Sequence, residues 1–232
     1  MFHFPVMLKE VIKFLNIKSN GIYLDATFGM GGHSKFILEK INEGRLFVFD
    51  KDPDSILVAK KVFEYDKRLF YKCLSLKYVP FFCSKIDING KINGILIDLG
   101  ISSLQLSNSN RGFSFYNNGL LDMRINQTIG ITASDFLNNV SEGDLSDIFS
   151  VYCNKENHFF LSNHILKNRK SKQILTSYDL SDVIKKYKLC NKNDKLINKV
   201  FQSIRMYIND ELYDLVFFYP MYLICLQIMG DW

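Results

Sequence analysis

Three short apolar segments of the sequence each end at an aspartate, and these carboxylates are the first candidates for chemistry. The segments and their acids are residues 22–24 with Asp25, residues 46–49 with Asp50, and residues 95–97 with Asp98. Continuous apolar runs of this length are typical of strands buried on both faces of a parallel sheet. Ligands of such sheets bind beyond the carboxyl ends of the strands. The pattern therefore predicts a ligand site at the strand ends that carry the three acids.

A glycine-rich turn follows the first acid, in the segment DATFGMGGHS of residues 25–34. Glycines let the backbone approach a ligand closely, and the start of the following helix offers unpaired N–H groups. The second acid, Asp50, suits the hydroxyl donors of a ribose. These features predict an adenosine-containing ligand, either S-adenosylmethionine or NAD, although the glycine spacing departs from the GxGxxG fingerprint of NAD-binding folds. In the alternative interpretation, Asp25 and Asp50 only cap turns.

The third acid, Asp98, opens the segment DLGISSLQ and is expected beside the reactive end of such a cofactor. Methyl transfer to an exocyclic amine needs an in-line approach and an acceptor for the amine hydrogens, because the nitrogen lone pair is delocalised into the ring. Asp98, or backbone carbonyls of the turn after it, can be that acceptor. In the alternative interpretation, Asp98 only orders its own loop.

The elements that must position these acids alternate between strand and helix. Residues 34–41 and 53–63 lie between the apolar runs and carry apolar side chains at helical spacing. This alternation favours βαβ units with right-handed crossovers, and therefore an α/β fold. From about residue 107 the pattern becomes mostly helical. The predicted helices, each beginning near a Ser, Thr or Asn that can cap it, are residues 132–139, 141–152, 158–170 and 177–186.

We therefore predict three parts: an α/β core over residues 1–107, an inserted helical subdomain over residues 108–199, and a return to the core over residues 200–232. The chain has 232 residues, of which 47% are hydrophobic, an ordinary globular balance. Its net charge of +5 permits an anionic partner without establishing one.

Several other classes of protein are not expected. The five cysteines are scattered without a CxxC pair or a nearby Cys/His cluster, which argues against a disulfide framework or a zinc site. Residues 1–15 are typical of an amphipathic helix, not of a signal peptide, so a cytoplasmic location is expected. The apolar residues 215–229 are too short and too interrupted for a membrane span.

Six segments resemble the ribosomal RNA small subunit methyltransferase H, or MraW, family, in order and with similar spacing. They are DATFGMGGHS (25–34), FDKDPD (49–54), GILIDLGISSLQL (94–106), RGFSF (111–115), LDMR (121–124) and FQSIRMYINDEL (201–212). The resemblance implies a Rossmann-like class I methyltransferase core with an inserted helical domain. It also implies a bacterial cytoplasmic enzyme that uses S-adenosylmethionine, without a metal, to methylate N4 of a cytidine in the decoding centre of 16S rRNA.

The resemblance also implies which residues hold the cofactor. They are Gly31, Gly32 and His33 in the glycine turn, Asp50 for the ribose, Leu76, Asp98 and Gln105. The family usually has phenylalanine where Leu76 falls, and its loss weakens stacking on adenine. Without the resemblance, His33 is more typical of a first-turn helix residue. Asp98 is the candidate catalytic residue.

Candidates for contact with the target nucleotide are Arg111, Phe113, Phe115 and Arg124. Aromatic rings can stack on an unstacked base, and arginines can pair with phosphate. Phe113 and Phe115 are equally typical of core anchors. The basic residues 167–172 predict a solvated helix end first, and a phosphate contact second.

After Leu212 the resemblance is expected to stop, with the C-terminal strands of the core missing. This leaves three hypotheses open. The first is an active cytidine-N4 methyltransferase of 16S rRNA. The second is a catalytically inactive relative that binds cofactor or RNA without turnover. The third, an NAD-dependent oxidoreductase, is disfavoured by the glycine spacing.

Overall fold

Residues 5–152, 158–187 and 194–225 are described by a computed structural model of the chain. Residues 1–4 of the predicted first helix, part of the apolar tail, Cys153 and Cys190 lie outside these ranges. Over the described residues, the strands form one parallel sheet in the order β3-β2-β1-β4. The strands are β1 (Ile22–Asp25), β2 (Arg45–Asp50), β3 (Leu69–Cys73) and β4 (Gly94–Leu96).

The helices lie between and after these strands. They are α1 (Leu8–Leu15), α2 (Gly32–Lys40), α3 (Pro53–Val62), α4 (Val79–Lys85), α5 (Ser103–Ser107), α6 (Ala133–Asn139), α7 (Glu142–Tyr152), α8 (His158–Ser171), α9 (Ser177–Lys185), α10 (Asp194–Ile208) and α11 (Glu211–Cys225). Two short 3₁₀ helices span Leu76–Tyr78 and Ser109–Arg111. The predicted α/β fold, with its alternating strands and helices, is confirmed.

Strand β3 was not predicted from the sequence. Only its first residue, Leu69, is buried, and the remaining four are exposed. Its apolar run, residues 69–71, is as short as that of β1 but does not end at an aspartate, so its pairing with β2 is the feature that reveals it.

The chain divides into two compact units, which we call the core unit and the helical unit. The core unit contains the described residues up to Leu104 and those from Leu212 onward, and the helical unit is Gln105–Glu211. The second junction therefore lies later than the predicted residue 200. Helix α10 is the reason, because it packs against α6, α7 and α9 of the helical unit.

The central strands β1 and β2 are buried on both faces of the sheet, which explains their continuous apolar runs. Leu24 of β1 and Phe47 and Phe49 of β2 pack in one cluster, while Tyr23, Leu46 and Val48 point to the other face. Helix α11 joins the first cluster through Phe218 and Leu215. The apolar segment after Leu212 thus contributes to the core, as the predicted return to the core over residues 200–232 implies.

Three helices of the helical unit, α6, α7 and α9, begin at capping residues of the expected types. Thr132 and Thr176 each accept a backbone N–H three residues later and complete a capping box with Asp135 and Asp179. Ser141 accepts the Asp144 N–H at 3.2 Å at the start of α7. Local side-chain chemistry therefore fixes these boundaries.

Candidate functional site

Asp50 links the loop after β2 to the glycine turn after β1. Its Oδ2 accepts the Gly29 N–H at 2.7 Å, and its Oδ1 accepts the Asp52 N–H at 2.8 Å. Burial raises the pKa of Asp50 to about 6, against the opposing effect of these N–H donors. A carboxylate has about four lone-pair sites, so these two bonds leave acceptor capacity for a ligand hydroxyl.

Asp25 is buried and organises the turn from within. The Ser34 hydroxyl donates to its Oδ2 at 2.6 Å, and the Thr27 N–H donates to its Oδ1 at 3.2 Å. Burial raises the pKa of Asp25 to about 6. With only 1% of its surface exposed, Asp25 matches the capping interpretation.

The turn itself depends on glycine at its centre. Gly31 is the N-cap of α2 with φ of 75°, and an added Cβ there would lie 2.6 Å from the ring of Phe28. Gly32 begins α2, whose first-turn N–H groups lack intrahelical acceptors. The turn therefore presents backbone donors where a bulkier residue would not fit.

His33 and Asp98 bring the loops after β1 and β4 together. His33 Nε2 lies 3.8 Å from Asp98 Oδ2, and the Asp98 N–H donates to Thr27 Oγ1 at 2.7 Å. His33 is buried, and burial lowers its pKa against the opposing charge of Asp98. Its Nδ1 has no hydrogen-bond partner among the described residues. The Asp98 side chain is 58% exposed, so its carboxylate is open to a ligand.

Leu76 and Gln105, the remaining predicted cofactor residues, are both buried. Leu76 lies in the first 3₁₀ helix and packs in the core cluster with Phe49 and Phe218. Gln105 lies in α5, where the chain passes into the helical unit. Their cofactor contacts stay predictions. The core unit itself brings together Gly31, Gly32, His33, Asp50 and Asp98.

The predicted nucleotide contacts Arg111 and Phe113 are buried inside the helical unit. Arg111 Nη2 donates to the carbonyls of Arg124 at 3.1 Å and Ile125 at 2.7 Å, and its guanidinium lies 5.7 Å from the Phe113 ring. These contacts favour the core-anchor interpretation for Phe113. They give Arg111 a structural role in holding the segment at residue 124.

Phe115 and Arg124 are less buried than Arg111 and Phe113. Phe115 is half-buried, with its ring 4.3 Å from that of Tyr116, and it lines a cleft of about 350 Å³ with Tyr116, Tyr178, Asp182 and Lys185. Arg124 forms a two-pronged ion pair with Asp122, at 2.7 and 2.9 Å. Their nucleotide contacts stay predictions.

Asn209, which was not predicted from the sequence, is buried and connects two parts of the helical unit. Its Oδ1 accepts the Ile125 N–H at 2.7 Å, and its Nδ2 donates to the carbonyls of Met123 at 2.7 Å and Arg205 at 2.8 Å. Met123 has a φ of 59°, which such bonds help to hold. The segment INDEL contains Asn209, but no spacing rule predicts its partners.

No described helix meets the length and apolarity that crossing a membrane requires. In the same residues, no group of three or more His, Cys, Asp or Glu side chains is arranged to hold a metal ion.

A parallel sheet in this order, with acids at the carboxyl ends of β1 and β2 and another just past β4, is consistent with the Rossmann-like core of a methyltransferase. The chain belongs to the MraW methylase family, whose model matches residues 1–230. The family model extends past Leu212, whereas the relatives described next match 92% of this chain and 69–70% of their own lengths, in agreement with the prediction that the family's C-terminal segment is not present in this chain.

Similar proteins carry one name. "Ribosomal RNA small subunit methyltransferase H" of Wigglesworthia glossinidia brevipalpis is 44% identical over 217 residues, which cover 92% of this chain and 69% of that protein. The protein of that name from Francisella philomiragia is 42% identical, and the match covers 92% of this chain and 69% of that protein. The one from Legionella pneumophila strain Corby is 41% identical, and the match covers 92% of this chain and 70% of that protein. A crystal structure of MccD protein aligns with 73% of this chain and 93% of its own chain, at 14% identity and a TM-score of 0.28.

Proposed function

We propose that the chain transfers a methyl group from S-adenosylmethionine to the N4 amine of a cytidine in the decoding centre of 16S rRNA, in the bacterial cytoplasm. The observation that carries the proposal is the meeting of Asp50, His33 and Asp98 at the carboxyl edge of three neighbouring strands. The shared name of the relatives supports the rRNA substrate. Membership of a methylase family favours S-adenosylmethionine over NAD.

The residues at this edge fit the chemical parts of the methyl donor. Asp50 has acceptor capacity for the two ribose hydroxyls, and the turn at Gly31 and Gly32 offers backbone donors to a carboxylate. The buried Nδ1 of His33, without a partner among the described residues, is the kind of polar atom that a ligand satisfies. When bound, S-adenosylmethionine supplies an electrophilic methyl group.

Asp98 is the proposed catalytic residue. In the reaction the N4–methyl bond forms as the sulfur–methyl bond breaks, and N4 loses one proton. The exposed carboxylate of Asp98 can accept the hydrogen bond of the amine and then that proton. Its backbone bond to Thr27 and its approach to His33 hold the loop in place for this role.

The helical unit is proposed to bind the RNA. Phe115 lies beside an exposed aromatic cleft, and a single-stranded base can stack on such rings. Arg124 is partly exposed despite its pairing with Asp122, so a phosphate contact remains compatible with its position.

The test is transfer of labelled methyl groups to small ribosomal subunits that lack this modification, followed by mass spectrometry of the nucleosides. We expect N4-methylcytidine with the wild-type chain and a rate loss of about 10²- to 10⁴-fold for Asp98→Asn. The exposed Asp87→Asn, whose acid pairs with Lys91, is the matched control and should retain the wild-type rate. Folded protein without incorporation contradicts the proposal. Cofactor binding without turnover supports the inactive-relative hypothesis instead.

A further inference from the structure

A buried carboxylate on α11 connects the loops that follow β2 and β3. Asp214 Oδ2 accepts the Ser75 hydroxyl at 2.6 Å and lies 3.4 Å from Lys51 Nζ. Its Oδ1 lies 3.6 Å from Lys77 Nζ. Lys51 follows β2, whereas Ser75 and Lys77 follow β3, so one side chain of α11 contacts both loops.

Asp214 is buried and its two lysine partners are largely buried, which restricts where the two loops can lie. The Asp214 side chain is 8% exposed, and the two lysine side chains are each 20% exposed. A buried charge is costly unless it is paired and hydrogen-bonded, and Asp214 Oδ1 has only the ion pair with Lys77, without a hydrogen-bond partner among the described residues. Movement of either loop would therefore leave the buried charge still less compensated. Lys77 Nζ also lies 5.0 Å from the ring of Tyr213, the residue before Asp214 on α11.

Both loops carry residues of the candidate cofactor site. Lys51 follows Asp50 directly, and Ser75 precedes Leu76. The two loops are also joined by the backbone, since the Leu74 N–H donates to the Asp50 carbonyl at 2.9 Å. Asp50 is the proposed ribose acid, and Leu76 is the predicted neighbour of the adenine.

We propose that Asp214 is a positioning residue, which fixes the loops of Asp50 and Leu76 for the adenosine half of the methyl donor. The inference rests on the proposed function and adds a residue of α11 to it. The apolar contacts of Phe218 and Leu215 attach α11 to the core independently of the carboxylate. A neutral replacement of Asp214 should therefore leave the helix docked while it releases the two loops.

The experiment measures binding of S-adenosylhomocysteine and of 5′-methylthioadenosine by calorimetry. The second ligand has the adenosine half without the amino-acid end. In Asp214→Asn, loss of the charge-assisted contacts is expected to raise both dissociation constants by the same factor, roughly tenfold. Ser75→Ala, which removes one hydrogen bond and leaves the charges in place, should raise both by about two- to threefold.

Asp66→Asn is the matched control, since Asp66 pairs with Arg68 at 2.6 Å just before β3, at the opposite end of that strand. We expect it to retain wild-type affinity for both ligands, even where its unfolding temperature falls as far as that of Asp214→Asn. A loss of stability alone would not separate these two variants. Their difference in affinity is the signature of positioning.

The outcomes are distinct. Wild-type affinity in Asp214→Asn overturns the positioning role, and so does an equal loss of affinity in Asp66→Asn. If Asp214→Asn does not fold, Ser75→Ala decides: raised constants support the proposal and unchanged constants overturn it. Failure of the wild-type chain to bind either adenosine ligand would instead refute the proposed function.

Discussion

Replacing Asp25 by asparagine should make the protein more stable at neutral pH. The carboxylate is buried and holds the Ser34 hydroxyl and the Thr27 N–H. An asparagine side chain can keep both bonds, because its oxygen accepts the N–H and the serine hydroxyl rotates to accept from its NH₂ group. The variant thus removes a charge and preserves the local geometry.

The size of the effect follows from the pKa of Asp25. Burial raises this pKa from 3.8 to about 6, so the folded state holds its proton at a pH where the unfolded state has lost it. At about 1.4 kcal/mol per pH unit, the ionised carboxylate costs roughly 3 kcal/mol of folding free energy. This cost is absent below about pH 4, grows as pH rises toward 6, and is fully present above it. Asp25→Asn avoids it at every pH.

The assay is urea unfolding of the wild-type chain and of Asp25→Asn between pH 4 and pH 8. We expect similar free energies of unfolding near pH 4 and an advantage of up to about 3 kcal/mol for the variant above pH 7. Asp87→Asn is the control: Lys91 lowers the pKa of this exposed acid, so the small effect of that variant should have the opposite sign. A difference between wild type and Asp25→Asn that does not change with pH would refute the reasoning.

Three further substitutions test other parts of the structure. Asn209→Ala leaves the Ile125 N–H and the Met123 carbonyl without their side-chain partner, while the Arg205 carbonyl keeps the backbone N–H of residue 209. It should lower the free energy of unfolding by about 2–4 kcal/mol in urea titration, whereas the exposed Asn139→Ala should cost less than about 1 kcal/mol. Gly31→Ala should lower the unfolding temperature more than Gly90→Ala. Both glycines have positive φ (75° and 71°), but only a Cβ at residue 31 would meet a phenylalanine ring. Equal losses of unfolding temperature would contradict this clash. Leu76→Phe should lower the free energy of unfolding by about 1–3 kcal/mol, because the larger side chain overpacks the core; calorimetry measures this. Unchanged stability together with tighter cofactor binding would instead support adenine stacking at this position.

Much of the fold could be predicted because local chemistry fixes it. The apolar run before Asp50 predicts a strand whose two faces are both buried, and Thr132 and Thr176 predict the starts of their helices through capping. Strand β3 and the second unit junction were missed, since one is an exposed edge and the other lies beyond a continuous helix.

The candidate site was likewise predicted only in part from the sequence. Sequence placed Asp25, Asp50 and Asp98 at strand ends, but their different environments depend on which loops cover them. Asp25 is buried under the turn, whereas Asp98 remains exposed beside His33. Burial of a single residue depends on segments distant in the chain, which no local pattern contains.

The sequence by itself determined the alternation of strands and helices except for β3, the family, and the acids proposed to contact an adenosine ligand. These depend on residue type and short spacing, which act locally. Only the tertiary structure decided that Leu76 packs in the core and that Asp214 fixes two loops of the site. The physical reason is separation: Asp214 meets Lys51 across 163 residues, and such a contact exists only once the sheet and α11 have assembled.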